Sequence, residues 1–245
     1  MSQTTRLLPF FFGLCFLSLA SCGKKSNDKT SVTATAVEKQ EQEMERVDDM
    51  GVYEAAIMPL NESISGKLTG TVKIKILGDE FSVDQNIQGA PAGVRHLQVV
   101  LTGNTCPTII SDTNGDGVID AVESSMVSGQ RLIPLDSNLN SQIQGINFGP
   151  IANNEGRYVY RRSASFSKLL ADLHSFDPDA FDQLVKLQVG DDLNLNGRVV
   201  MIYGVSDEAS LPSTAASAPE ETVQDSFPIA CGEFVKIIEQ EVVSR

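Results

Sequence analysis

Between residues 71 and 87 the chain alternates. Val72, Ile74 and Ile76 are separated by Lys73 and Lys75, and after Gly78-Asp79 the apolar positions resume at Phe81, Val83 and Ile87. A period of two, turned around a glycine-led pair, describes an antiparallel hairpin with one buried and one solvated face. Further short runs follow at 94–101, 157–160, 198–203 (after the tight-turn pair Asn196-Gly197) and 234–238. Strands of this length separated by turns predict a mainly β fold, a Greek-key sandwich or barrel. A short helical insertion interrupts it. Phe166, Leu169, Leu170 and Leu173 share a helical face, and Asp177-Pro178 has the form of a cap and first turn for a second helix carrying Phe181, Leu184 and Val185. Residues 206–221, rich in Ser, Ala, Pro and Glu, have the composition of a long surface loop.

The N-terminal segment points outside the cytoplasm. Arg6 is the only charge before an apolar run at 7–20, too short to span a bilayer and ending in small residues, as a secretory signal peptide does. Leu19-Ala20-Ser21-Cys22 resembles the lipobox of bacterial lipoproteins. That resemblance implies cleavage before Cys22 and acylation of its thiol; the alternative is simple cleavage, with Cys22 incidental. Gly rather than Asp follows the cysteine, which implies the outer membrane. The expected organisation is a signal peptide at 1–21, a disordered tether at 22–50 and one β-domain at 51–245. The tether is dominated by Lys, Ser, Thr, Glu and Gln, with too little apolar surface to offset ordering.

Charge narrows the partners. The net charge is −13, and losing residues 1–21 removes only Arg6, which leaves −14. Such a surface repels nucleic acid and anionic headgroups, so the lipid must provide the membrane attachment. A protein partner at the envelope stays open. Of four cysteines, Cys15 leaves with the signal and Cys22 is the lipid site, so Cys106 and Cys231 remain. An even pair in an oxidising compartment suggests a disulfide, with two free thiols as the alternative.

One segment carries chemistry. Asp112-Thr-Asn114-Gly-Asp116-Gly117-Val118-Ile119-Asp120-Ala-Val-Glu123 matches an EF-hand calcium loop at every informative position. Calcium takes six to eight hard oxygens: side chains of Asp112, Asn114 and Asp116, the Val118 carbonyl, Asp120 directly or through water, and Glu123 closing bidentately. Gly117 permits the sharp turn, and Ile119 is expected to anchor the loop in the core. The competing reading is a solvated acidic turn. No helix is expected before the loop, and no second loop exists to pair with it. The ion is therefore expected to be structural, held by a lone loop without flanking helices. A weaker echo, Asp192-Leu-Asn194-Leu-Asn196-Gly197, lacks a closing acid and is assigned to a hairpin turn.

Several segments resemble the copper–zinc superoxide dismutase superfamily. Residues 66–72 resemble its opening strand, and 93–103 the strand bearing two copper histidines. Cys106 corresponds to the first disulfide cysteine, 197–204 to the strand with another copper histidine, and Ala230-Cys231-Gly232 to the second cysteine. Cys106-Pro107-Thr108 directly before the calcium loop is closer still to uncharacterised secreted bacterial proteins of related form. The copper positions, however, hold Gln98, Val100 and Tyr203, or Val99 and Leu101 if the register moves by one. Copper redox cycling needs several nitrogen donors, and the chain has only His96 and His174. His96 is expected to be structural, and no nucleophile elbow, phosphate loop or basic patch appears. The expectation is a non-catalytic, calcium-stabilised, lipid-anchored envelope protein. A metal-dependent enzyme with an unrecognised site and a calcium-sensing or metal-sequestering protein are the alternatives.

Overall fold

The computed structural model describes residues 49–139, 149–175, 187–188 and 191–238. The expected signal peptide, Cys22, nearly all of the expected tether and the second expected helix lie outside these residues. Eight strands form one antiparallel sheet: β1 Gly51–Pro59, β2 Thr69–Leu77, β3 Glu80–Gln88, β4 Leu97–Leu101, β5 Arg131–Pro134, β6 Arg157–Ser165, β7 Val199–Tyr203 and β8 Pro228–Ile237. Their order across the sheet is β5-β4-β7-β8-β1-β2-β3-β6, and the sheet curls into a half-barrel of Greek-key type. The β2–β3 hairpin pairs Ile76 with Phe81 and Leu77 with Glu80, turning on Gly78 at φ +60°. The chain then crosses from β3 to β4 on the far side, and returns from β5 to β6.

Alternation does what the sequence predicts. Val72, Ile74, Ile76, Phe81, Val83 and Ile87 all face the interior, joined by Tyr53, Ala55 and Ile57 from β1 and by Tyr158 and Tyr160 from β6. Burial of each large aliphatic or aromatic side chain contributes about 1.5–3 kcal/mol. Gln85 obeys the same period and is buried, with neither amide atom hydrogen-bonded; such a group weakens the interior it occupies.

Two helices of at least two turns are described: α1, Ala121–Ser128, and α2, Phe166–His174. In α2 Phe166, Leu169 and Leu173 are buried, and Phe166 stacks on Phe81 at 6.5 Å. Asp79, in the hairpin turn, accepts from the Ser167 amide and the Ser165 hydroxyl, tying the helix start to the β2–β3 turn. No described helix is long and apolar enough to cross a membrane.

The structure differs from the sequence expectation at several points. The β1 and β5 strands and α1 are additional. The fold also begins before residue 51: the Asp49 carboxylate accepts from the Leu193 and Asn194 amides at 3.3 and 2.8 Å. The 192–197 echo is not a hairpin turn. Asn196-Gly197 does turn, with Gly197 at φ +87°, but the described residues 191–195 before it form no strand. Leu193 and Leu195 are instead buried in the interior, and the Asn196 side-chain oxygen accepts from the Lys236 amide.

Candidate metal loop and the layer it belongs to

The outer face of β4 and β7 is not open to solvent. Leu97, Val99, Leu101, Val199, Met201 and Tyr203 form a second apolar cluster there with Leu60, Ile119 and Cys231. Cys106 and Cys231 form the expected disulfide, with Cα atoms 5.7 Å apart. The bridge holds the segment leading into the 112–123 loop against β8. Ile119 then drops from the loop into this outer cluster, which is the anchoring role expected for it.

Inside the loop the acidic and amide side chains turn to backbone N–H groups. Asp112 Oδ1 accepts from Gly115 and Asp116, and its Oδ2 from Gly117 at 2.8 Å. Asn114 Oδ1 accepts from Asp116, and Asp116 Oδ1 from Val118. Gly115 and Gly117 take φ of +75° and +89°, the left-handed conformation that a side chain would strain. Glu123, only 4% exposed, reaches back across the loop. Its Oε1 accepts from the amides of Thr113 and Asn114 and from the Thr113 hydroxyl, and its Oε2 accepts from the Asp120 amide. Asp120, 2% exposed, is the N-cap of α1 and accepts from the Glu123 amide in a reciprocal capping box. The exit helix corrects the expectation of a loop without flanking helices. On the entry side there is only a short 3₁₀ turn, Ile109–Ser111.

All six sequence-predicted positions thus lie along one wrapped segment. Their donors are carboxylate, amide and carbonyl oxygens, a set that suits a hard cation such as calcium. Among the described residues, no three His, Cys, Asp or Glu side chains are gathered tightly enough to hold a metal. The carboxylates are instead distributed over the loop's own amides. Asp120 and Glu123 also serve as a helix cap, a second reason for those residue types at that spacing.

Three groups from distant sequence complete the loop's surroundings. Asn61, at φ +52°, donates from Nδ2 to the Ile119 carbonyl at 2.8 Å and accepts at Oδ1 from the Ile119 amide at 2.8 Å. One side chain therefore pairs both backbone groups of Ile119, as a neighbouring strand would. The same Nδ2 also donates to Pro228 O at the start of β8. From the other side, the Thr214 hydroxyl donates to Asp116 Oδ2 at 2.6 Å and the Ala216 amide to Asp120 Oδ2 at 2.8 Å. The Thr214 hydroxyl, with the Val118 amide behind it, holds the Asp116 carboxyl below the usual carboxylate range, against a smaller opposing effect of desolvation. Sequence reasoning missed Asn61 and Thr214, because each lies far along the chain from the loop it contacts.

The positions suggested for copper do not suit it. Tyr203 shares the outer face with Val99 and Leu101, whereas Val100 belongs to the interior cluster and Gln98 bonds inward to Tyr158. The register moved by one is thus the set that sits together, and it offers two aliphatic side chains and a phenol. The Arg131 guanidinium lies 5.1 Å from the centroid of that phenol ring. Gln98 is occupied, donating to Leu135 O and accepting from the Tyr158 hydroxyl. His96 is structural in position: fully buried, stacked on Tyr158, with Nδ1 3.1 Å from the Tyr203 carbonyl oxygen.

No family model matches the chain, and neither does any curated protein. Among solved structures, the Cu(II) form of Candida albicans superoxide dismutase 5 aligns at 9% identity and a TM-score of 0.38, over 80% of this chain and 98% of that one. So loose an overlay carries no argument about the chemistry of this chain.

Proposed function

We propose that this protein is a calcium-binding lipoprotein of the bacterial cell envelope, in which the ion stabilises a non-catalytic β-domain. The wrap of residues 112–123 carries the reading: oxygen-bearing side chains at the EF-hand positions, two left-handed glycines, and a glutamate folded back across the loop. Asp112, Asn114, Asp116, Val118, Asp120 and Glu123 would hold the ion. Bound calcium supplies positive charge to a segment whose four acids, Asp112, Asp116, Asp120 and Glu123, repel one another. The unfolded chain has no formed site, so binding energy appears as folding stability. Ile119 is the lever that passes it on, since it ties the loop to the outer cluster on β4 and β7. A site of about 10⁻⁴ M would already be well filled in the millimolar calcium outside cells.

A thermal melt tests this. The full chain is expected to melt higher in calcium than in chelator, with little response to magnesium, which resists a large flexible shell. Glu123→Gln removes one charge and the bidentate closure at constant volume, and should abolish most of the rise. Identical melts for the parent in calcium and chelator would overturn the calcium reading. Attachment is tested separately: Cys22→Ser should release the protein from the membrane fraction, and retention would place the anchor elsewhere.

A further inference from the structure

The segment 206–221 has no strand or helix of its own, yet it is firmly placed. Leu211 and Ala215 pack against the interior cluster. Arg131 donates to both carboxylate oxygens of Glu221, at 2.6 and 2.8 Å, and the Ala218 amide donates to Ser226 Oγ. Between these fixing points the strap meets the metal loop at two acids. In each acid one oxygen stays with the loop and the other is tied to the strap. Asp116 keeps Oδ1 on the Val118 amide and gives Oδ2 to Thr214; Asp120 keeps Oδ1 on the Glu123 amide and gives Oδ2 to Ala216. Asp112 differs: among the described residues, the bonds to its carboxylate come from within the loop. A third link runs between backbones, from the Ala121 amide to the Ala216 carbonyl at 3.3 Å.

We infer that Thr214 and the Ala216 amide are positioning groups for the ion, fixing Asp116 and Asp120 from outside the loop and coupling the strap to calcium occupancy. The inference rests on the calcium reading and deepens it. A carboxylate with one oxygen held by a rigid neighbour presents the other in one orientation, so less ordering is left for the ion to impose. Partners that orient metal ligands in this way commonly change affinity by about 10–100-fold when removed. The coupling is reciprocal: whatever the strap contributes to calcium affinity, calcium returns as order in the strap.

Calcium titration calorimetry on the full chain, with Thr214→Val and Thr214→Ser beside the parent, tests the assignment. Thr214 is exposed, so neither change disturbs a packed interior. Thr214→Val should weaken calcium about tenfold, whereas Thr214→Ser, which keeps the hydroxyl, should bind as the parent does. Melts in chelator should be alike for all three. The second readout is hydrogen exchange at the Ala216 amide, which calcium should slow in the parent and slow less in Thr214→Val. Parent-like affinity in Thr214→Val, or exchange at Ala216 that ignores calcium, overturns the inference while leaving the calcium site standing. A parent that shows neither binding heat nor a calcium-dependent melt overturns both.

Discussion

The two halves of the sheet are buried in different ways. In β2 and β3 burial alternates residue by residue, and the outward side chains meet solvent. In β4, β5 and β7 every residue is buried. β8 shows both regimes: Pro228–Gly232, alongside β7, is buried throughout, whereas Glu233, where the pairing with β7 ends at Val199, and Val235 beyond it are exposed. The cause is the covering layer. Over β4, β7 and the first half of β8 lies a shell of the disulfide and the 112–123 loop, whose apolar contribution includes Ile119 and Cys106. Over β1, β2, β3 and β6 there is a row of charges in register, Glu54 beside Lys73, Lys73 beside Asp84, Asp84 beside Arg161. The difference teaches that irregular segments here do the packing work usually left to a helix or a second sheet.

The disulfide should give the largest effect. It closes a separation of 125 residues, for which the chain-entropy model gives about 5 kcal/mol of stabilisation. Cys106→Ser with Cys231→Ser should lower the denaturation midpoint accordingly, with exchange protection falling first in β4 and β7. Equal loss in β2 and β3 would break the distinction between the halves. Next comes Ile119→Ala, expected to cost about 2–5 kcal/mol as a core truncation does. Its control is Val235→Ala, at a side chain 57% exposed on the solvated half, where the change should stay within about 0.5 kcal/mol. Similar costs at both sites would show that the outer cluster is no core.

A pH experiment probes the seam, where His96 stacks on Tyr158 of β6 and contacts the Tyr203 carbonyl of β7. Burial pushes the His96 pKa below its ordinary 6.5, and the carbonyls of Tyr203 and Pro91 oppose that shift only in part. The folded state therefore resists a proton that the unfolded state accepts. The stability from neutral His96 is complete above about 6.5 and drains away as pH falls toward the depressed folded value. Denaturation midpoints from pH about 7.5 to about 5 should fall more steeply for the parent than for His96→Gln. Equal slopes, or a ring titrating at its ordinary value by NMR, would refute this. The smallest effect belongs to the charge row. Arg161→Ala breaks an exposed pair of 2.9 Å with Asp84, and should cost under about 1 kcal/mol, less in high salt.

Legibility in the sequence follows the range of the interactions. The β2–β3 hairpin was readable, and the oxygen-rich pattern at 112–123 visible, because each is written within a short stretch. The β1 strand was hidden because its inward row includes the small Ala55, while Val52, Ala56 and Met58 blur the outward row. α1 was hidden because Val122, Met126 and Val127 are exposed and give it no apolar face to detect. Asn61 acts on a residue 58 positions away and Thr214 on one 98 positions away. The Ala216 contact uses a backbone N–H, which no residue type encodes.

The position of β8 constrains how the protein can be made. It is the last strand synthesised among those described, yet it lies between β7 and β1 and is the only described strand pairing with both. Until it emerges, β1, β2 and β3 can form a meander, but each group of strands keeps an open edge where β8 will insert. Cys231 arrives on the same strand, so the bridge to Cys106 must also wait. A chain fed progressively across a membrane would hold both edges exposed through most of its passage, the condition in which strands recruit wrong partners. Newly made chains would therefore need protection until the eighth strand arrives.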